Sequence, residues 1–385
     1  LRVISLDELP KFPRFVSCAH APEAGTPIAS SFTPSKSPEG QLPKHGGACM
    51  KAMVLEHQTD IMESPLLLAD LAAPVPGERE IRIRVHCCAI CRTDLHVIEG
   101  DLPMRKKHVI PGHQVVGHVE ALGPHAKRFP IGARVGIAWL RKTCGVCPYC
   151  EAGRENLCER PEFTGYHAHG GFAEFACVHE DYAYAIPEVF EDAEAAPLLC
   201  AGIIGYRALK RAELPRGGRL GLFGFGSSAH IVLQMAHARG SEVFVKTRGR
   251  AHQELARQLG ARWVGGAEDE FPGKVDSAII FAPAGELVPG ALELLKKGGT
   301  LALAGIHMSD IPAMNYERHL FYEKNIHSVT ANTREDGVEL LKEAAAIPIK
   351  PQIRMYPLEE ANQALQDLKA DRIQGTGCLQ IADAL

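Results

Sequence analysis

Leu220-Gly221-Leu222-Phe223-Gly224-Phe225-Gly226-Ser227-Ser228-Ala229, followed by the helical stretch from Ile231 to Ala238, decides how this chain folds. A short apolar run enters G-x-G-x-x-A, and a helix leaves it. In that setting Gly224 permits a tight turn, Gly226 lets the backbone approach a pyrophosphate, and Ala229 allows close packing of helix on strand. The first helical turn offers free N–H groups and a positive dipole end to phosphates. A Gly-rich turn alone is a weak signal, since an ordinary βα turn also carries glycine. Here it has company: Val243-Phe244-Val245, Ala278-Ile279-Ile280-Phe281 and Leu301-Ala302-Leu303-Ala304 alternate with helical segments. Near-continuous apolar strands separated by helices mark a parallel sheet covered on both faces. The expectation is a doubly wound dinucleotide-binding domain over residues 202–329.

The second strand of that domain bears on the cofactor. An NAD site usually has Asp or Glu at its end, to accept from the ribose hydroxyls. This chain reads Val243-Phe244-Val245-Lys246-Thr247-Arg248, with no acid. Lys246, Thr247 and Arg248 suit a 2′-phosphate, or else are solvated loop residues in a protein that takes either cofactor.

Upstream the texture differs. From Met50 to about Cys200 the text is β-rich, and Ile81-Arg82-Ile83-Arg84-Val85 alternates as a half-buried antiparallel strand does. Residues 1–49 are broken by Pro10, Pro13, Pro22, Pro27, Pro34, Pro38 and Pro43, and read as a flexible extension or as sequence upstream of a start at Met50. After residue 329 the character is mixed, with helices expected at Asp336–Ala346 and Leu358–Lys369. The net charge of -4 gives no footprint for nucleic acid or a membrane surface. No apolar stretch is long enough to span a bilayer, so a cytoplasmic protein is expected.

Twelve cysteines would be unusual there unless several bind metal. Cys144, Cys147, Cys150 and Cys158 form C-x2-C-x2-C-x7-C, the spacing of a closed tetrahedral zinc site that holds structure and performs no chemistry. Three further segments carry dispersed ligands: Cys91-Arg92-Thr93-Asp94-Leu95-His96, Pro111-Gly112-His113-Gln114-Val115-Val116-Gly117-His118, and Leu198-Leu199-Cys200-Ala201-Gly202. One ligand from each would make a Cys–His–Cys set with an open fourth position. Spacing alone does not pick them out, because a buried Cys or a surface His is as common.

Taken together, these motifs resemble the zinc-dependent alcohol dehydrogenases of the medium-chain dehydrogenase/reductase family, from about Met50 to the C-terminus. The resemblance implies an α/β protein with a GroES-like β-rich catalytic domain (residues 50–201), a Rossmann cofactor domain (202–329) and a C-terminal segment completing the first (330–385). It implies two Zn2+ per subunit, NAD(P), and a small alcohol or aldehyde as substrate. Cys91, His113 and Cys200 would hold the catalytic zinc. Thr93 matches the hydroxyl set against substrate, His96 the outlet of the proton, Asp94 the acid that orients the ligand histidine, and Arg92 a pyrophosphate contact. Trp139, beside Leu140, would wall the substrate pocket and favour small unbranched alcohols. Hydride transfer in either direction is implied, an NADPH aldehyde reductase being the alternative, and a non-catalytic cofactor-binding protein is disfavoured by the intact ligand set. A homodimer or homotetramer is also implied. One departure stands out: the family commonly has His-Glu where this chain has His113-Gln114, which puts the ease of ligand exchange in doubt. Cys87, Cys88, Cys177 and Cys378 read as structural thiols, Cys18 and Cys49 as part of the extension, and His118, His167, His169 and His307 as loop or surface histidines.

Overall fold

The computed structural model describes residues 49–347 and 349–382. The expected extension and Cys18 lie outside the described residues. Cys49, grouped with that extension from sequence, instead opens β1 (Cys49–Leu55), which pairs antiparallel with β2 (Leu66–Ala72) starting at Cys49↔Ala72.

In β3 (Glu80–Ala89) the expected alternation holds through Val85: Ile81, Ile83 and Val85 are buried, while Arg84 is exposed. From Val85 onward every side chain is buried. The register slips between Val85 and Cys87, and the strand there gains cover on both sides. Next come α1 (Arg92–Glu99), stopped by Gly100 at φ 90, then β4 (Gln114–Leu122) and β5 (Arg134–Ile137), antiparallel to their neighbours. A lobe follows from β6 (Leu140–Lys142), α2 (Pro148–Glu151) and β7 (Glu162–Phe163). Then β8 (Phe175–His179) lies along the first half of β3, and β9 (Ala183–Ala185) along β5. The short α3 (Asp192–Ala195) and a 3-10 turn bring the chain to Cys200 and α4 (Ala201–Arg211).

The second sheet begins with β10 (Arg219–Phe223), α5 (Ser227–Ala238), β11 (Glu242–Lys246), α6 (Arg250–Gln258) and β12 (Trp263–Gly265). It continues through β13 (Val275–Ile280), α7 (Leu287–Leu294), β14 (Leu295–Leu303), α8 (Tyr316–His319) and β15 (Asn325–Ser328). All six strands are parallel in the order β12-β11-β10-β13-β14-β15. That is the 3-2-1-4-5-6 order of dinucleotide-binding folds, with the ligand crevice beyond the carboxyl ends of its two central strands. Leu220, Leu222, Val243 and Val245 enter one buried cluster, while Phe223 and Phe244 enter another. Burial on both faces is why these strands read as unbroken apolar runs, each large side chain contributing roughly 1.5–3 kcal/mol.

The tail returns to the first sheet. After α9 (Arg334–Ala346) come β16 (Ile353–Pro357), α10 (Ala361–Lys369) and β17 (Thr376–Gln380). α9 starts two residues before the expected Asp336, because Thr333 and Asp336 form a capping box. The helix expected from Leu358 opens with a 3-10 turn, Leu358–Glu360, and is α-helical from Ala361. β17 pairs antiparallel with Cys87–Ala89, the half of β3 that β8 leaves free. No helix among the described residues is long and apolar enough to cross a membrane.

Candidate active site

Three separate segments deliver the dispersed ligands to one point. Cys91 is the N-cap of α1, and its sulfur accepts the Thr93 N–H at 3.3 Å. The carboxylate of Asp94, three residues on, accepts the Cys91 N–H at 2.8 Å through one oxygen and meets His113 Nδ1 at 3.0 Å through the other. With Nδ1 held by Asp94, Nε2 is the ring atom turned towards Cys91 Sγ, 3.3 Å away, and the one free to ligate a metal. Cys200 ends the 3-10 turn Ala196–Leu199 as α4 starts. The ligand atoms of Cys91, His113 and Cys200 all lie within 4.8 Å of one another.

The electrostatics of this cluster suit a cation. A hydrogen bond from Cys200, the His113 charge and the Thr93 donor hold the Cys91 thiol well below its usual range, against the cost of burial. Donating to Cys91, together with burial, pushes Cys200 well up. Burial disfavours a charged His113, yet Asp94 and the Cys91 thiolate outweigh it and push the imidazole up to about 10. Burial raises Asp94. Protons on His113 and Cys200 thus neutralise the cluster where a divalent cation would do so in their place. Two sulfurs and one imidazole nitrogen fit zinc and leave a fourth position for a ligand.

Around this point stand the other residues singled out from sequence. The Trp139 indole meets the His113 ring edge-on, centroids 5.0 Å apart, and stacks on Phe163 at 4.8 Å and Tyr166 at 6.0 Å. Tyr166 is held by its hydroxyl donating to Pro103 O at 2.8 Å. Thr93 is buried on α1. His96, three residues further and so on the same helix face, meets Asp101 at 2.7 Å through Nδ1. Arg92, the first residue of α1, is exposed. The Gln114 side chain is fully buried, and neither its Oε1 nor its Nε2 has a protein partner among the described residues. This buried amide keeps a donor and an acceptor unpaired by protein.

Of the histidines read as peripheral, His167 and His307 sit closer than expected. His167 accepts the Phe163 N–H at 3.3 Å and packs on Tyr166, inside the aromatic group against Trp139. His307 is exposed on a loop, with its ring 6.1 Å from that of His96. His169 accepts the Ile110 N–H at 3.2 Å, and His118 contacts His86, which in turn meets Asp192 at 2.7 Å. Cys87, Cys88 and Cys378 are buried, and burial drives the Cys88 thiol well up, so they are inert packing groups. Cys378 does have a partner that spacing did not reveal, the neighbouring thiol of Cys87.

The dinucleotide turn lies at the carboxyl end of β10. Gly224 has φ 88, and a Cβ there would press on Ala282 N at 3.0 Å, so glycine is required. A Cβ on Gly226 would meet nothing within 4 Å, which leaves open space over the backbone for a pyrophosphate. Ala229, in the first turn of α5, is fully buried. Two contacts that sequence did not reveal tie this turn to the first domain. The Ser227 hydroxyl bonds that of Thr376 in β17, and buried His230 accepts the Gln352 N–H at 3.2 Å. Burial pushes His230 down to about 4, so the ring is neutral. A histidine inside an apolar helix, four residues after Gly226, was the signal available for it. Thr247, after β11, is buried and its N–H donates to Gly265 O, while Arg248 is exposed.

The cysteine lobe forms a second cluster, Cys144, Cys147, Cys150 and Cys158, again with ligand atoms within 4.8 Å of one another. Backbone N–H donors support it: Val146 and Cys147 bring Cys144 down to about 6, and Cys158 Sγ accepts from Cys144 N at 3.3 Å and from Arg160 N at 3.4 Å. Within the lobe, Glu155 takes the Arg334 guanidinium with both carboxylate oxygens and anchors the lobe to α9.

A three-donor cluster fit for zinc, a dinucleotide turn and a separate four-thiol cluster define the class: a zinc-binding, nicotinamide-dependent dehydrogenase. Residues 77–188 match the alcohol dehydrogenase GroES-like domain, and residues 229–346 match the zinc-binding dehydrogenase domain. Over 339 residues the chain is 51% identical to the "Probable alcohol dehydrogenase AdhA" of Mycobacterium tuberculosis, covering 87% of this chain and 98% of that one. Among solved structures, a cinnamyl alcohol dehydrogenase of Sorghum bicolor superposes with a TM-score of 0.79 at 26% identity, covering 88% of this chain and 99% of its own. A Sinorhizobium meliloti protein described as a zinc-binding dehydrogenase, solved bound to NADP, gives a TM-score of 0.75 at 26% identity, covering 86% and 99%. The chain belongs to the zinc-type alcohol dehydrogenases of the medium-chain dehydrogenase/reductase family.

Proposed function

We propose that this chain is a zinc-dependent alcohol dehydrogenase that interconverts primary alcohols and aldehydes with NAD(P). The observation that carries the reading is the convergence of Cys91, His113 and Cys200, three donors rather than four, against the Trp139 ring. When bound, zinc supplies Lewis acidity that eases loss of the alcohol proton, and the nicotinamide takes the hydride.

The chain's own residues do the rest. Asp94 keeps the proton on His113 Nδ1, so that Nε2 stays available as a donor. The Thr93 hydroxyl accepts the substrate hydroxyl's proton as it gives up its own, which passes by way of the cofactor ribose to His96 on the same face of α1 and so to solvent. Asp101 holds His96 Nδ1 and leaves the other nitrogen for that transfer. Gly224, Gly226 and Ala229 seat the pyrophosphate, with Arg92 as its cationic contact, and Thr247 and Arg248 serve the adenosine end. The flat stack of Trp139, Phe163 and Tyr166 excludes water and limits substrate breadth. Gln114 offers an uncharged donor and acceptor where the family commonly has glutamate, so ligand exchange proceeds without a carboxylate. Cys144, Cys147, Cys150 and Cys158 hold the second zinc and only shape the lobe.

We assign the catalytic domain to residues 50–201 and 330–385 and the cofactor domain to 202–329. The pairing of β17 with β3 supports the first assignment. Two thiolate-rich centres need reduced cysteines, which favours the cytoplasm. The edge strand β15, with exposed Tyr316, Phe321 and Tyr322 nearby, favours a homodimer or homotetramer through the cofactor domains. The test of the activity is a steady-state panel of primary alcohols and aldehydes with both cofactors, on protein shown by elemental analysis to carry two zinc ions. Zinc-loaded protein inert towards the whole panel sinks the reading.

A further inference from the structure

We propose that His307 takes the reaction's proton from His96 and delivers it to solvent, so that the proton leaves this chain through two histidines on two domains. This rests on the dehydrogenase reading and concerns only the step after the proton has reached His96.

The two rings come from distant parts of the sequence. His96 lies on α1 of the β-rich domain, and His307 on the loop that joins β14 to α8. Their ring centroids stand 6.1 Å apart at an interplanar angle of 48°. That is too far for a direct hydrogen bond, whose heavy atoms lie about 2.7–3.2 Å apart, and near enough for one water to span. The loop is pinned on either side of His307. Ala304 N donates to Ile280 O at 2.9 Å, and Ser309 Oγ accepts the Gly285 N–H at 2.8 Å while donating to Glu286 at 3.0 Å. Met308, next in sequence, packs against the apolar cluster that holds Val288 and Leu301. Its neighbours therefore hold His307 near His96, and its own ring stays uncommitted.

Exposure rises along the path. Thr93 is buried, the His96 side chain is 18% exposed, and His307 is exposed. Asp101 meets His96 Nδ1 at 2.7 Å, which leaves Nε2 to take the proton up and to give it up. The other charges on this face of α1 are accounted for. Arg92 stands one turn before His96, and Glu99, one turn after, accepts from Lys369 at 2.8 Å and from the Ile61 N–H at 3.1 Å. Among the described residues no carboxylate meets the His307 ring, whose recorded contact is His96. Imidazole is the side chain that both binds and releases protons near neutral pH.

One proton moves, and nothing else. The His96 imidazolium gives it through the bridging water to the unprotonated nitrogen of His307, and His96 returns to the neutral ring. His307 then passes it to bulk water or buffer. Because the two rings sit on different domains, the route exists only while the domains stand in this relation.

The test follows proton and hydride in the same reaction. Zinc-loaded protein is mixed in stopped flow with NAD(P)+ and the fastest alcohol of the panel, in weak buffer with a pH-indicator dye, and nicotinamide absorbance is read in parallel. In the native protein the proton should keep pace with the hydride. In His307→Gln it should lag by about tenfold at the lowest buffer concentration, and free imidazole should restore it. Affinity for NAD(P)H, read by nicotinamide fluorescence without turnover, should change less than about twofold. His96→Gln should lag too, and the double variant should lag no more than His96→Gln alone, since His307 acts through His96. Proton and hydride in step in His307→Gln overturn the proposal and leave the dehydrogenase reading intact. So does a lag that imidazole leaves in place, or one matched by lost cofactor affinity, either of which makes the residue a structural or binding group. Native protein that reduces no cofactor with any alcohol overturns both.

Discussion

The two thiol clusters of this chain are built in opposite ways. The four-cysteine lobe takes all its donors from residues 144 to 158, and its donors include partly exposed Cys144 and Cys150 supported by local N–H groups. The three-donor cluster draws Cys91, His113 and Cys200 from three elements and buries His113 completely. A locally built centre is complete in its donors and has no chemistry left to offer, whereas a centre assembled by the fold can be left one donor short. On the proposed reading, reactivity here is a property of long-range assembly.

That contrast breaks most sharply with matched substitutions. Cys91→Ser should lower kcat by about 10⁴-fold or more and remove one zinc, while NADPH still binds. Cys150→Ser should also remove one zinc but act on stability, with a depressed thermal midpoint and a near-normal kcat in the protein that stays folded. If elemental analysis and kinetics show the reverse pattern, the two centres have been assigned to the wrong roles. Next in size, Asp94→Asn should weaken zinc retention at the first centre by about 10–100-fold, measured against a chelator, with the lobe's zinc unaffected.

A smaller effect concerns the neutral His230 that ties the cofactor turn to the first domain. Burial depresses it to about 4 in the folded protein, so below about 6.5 the unfolded chain binds a proton that the folded one refuses. Stability is therefore full above pH 6.5 and falls as pH drops towards 4, by about 2 kcal/mol between pH 7 and pH 5 from this group. Urea midpoints at the two pH values should show that slope in the native protein and a shallower one in His230→Gln. Equal slopes would remove His230 from the account. Last, Trp139→Ala should raise kcat/KM for branched or aromatic primary alcohols relative to ethanol, by about tenfold. An unchanged ratio would move the pocket wall elsewhere.

How much could be read beforehand follows the same division. The lobe was legible because its chemistry is written in consecutive spacing. The parallel sheet was legible because burial on both faces leaves unbroken apolar runs such as Leu220–Phe223. Cys91, His113 and Cys200 carry no mark of mutual contact and were grouped only through the family resemblance. The Ser227–Thr376 and His230–Gln352 contacts join residues more than a hundred positions apart, where no local pattern operates. Lys246 shows the same limit from the other side. Its charge suggested a phosphate contact, but a carbonyl from the next turn occupies it.

The pairing of β17 with the second half of β3 also has a consequence for biosynthesis. The strand that leads into Cys91 leaves the ribosome long before its partner at Thr376–Gln380 does. The four-cysteine lobe, being local, can close during synthesis, but the three-donor cluster waits for the chain to extend past β17. A nascent chain stalled before β17 would hold the four-cysteine cluster complete and lack a finished support for the three-donor one.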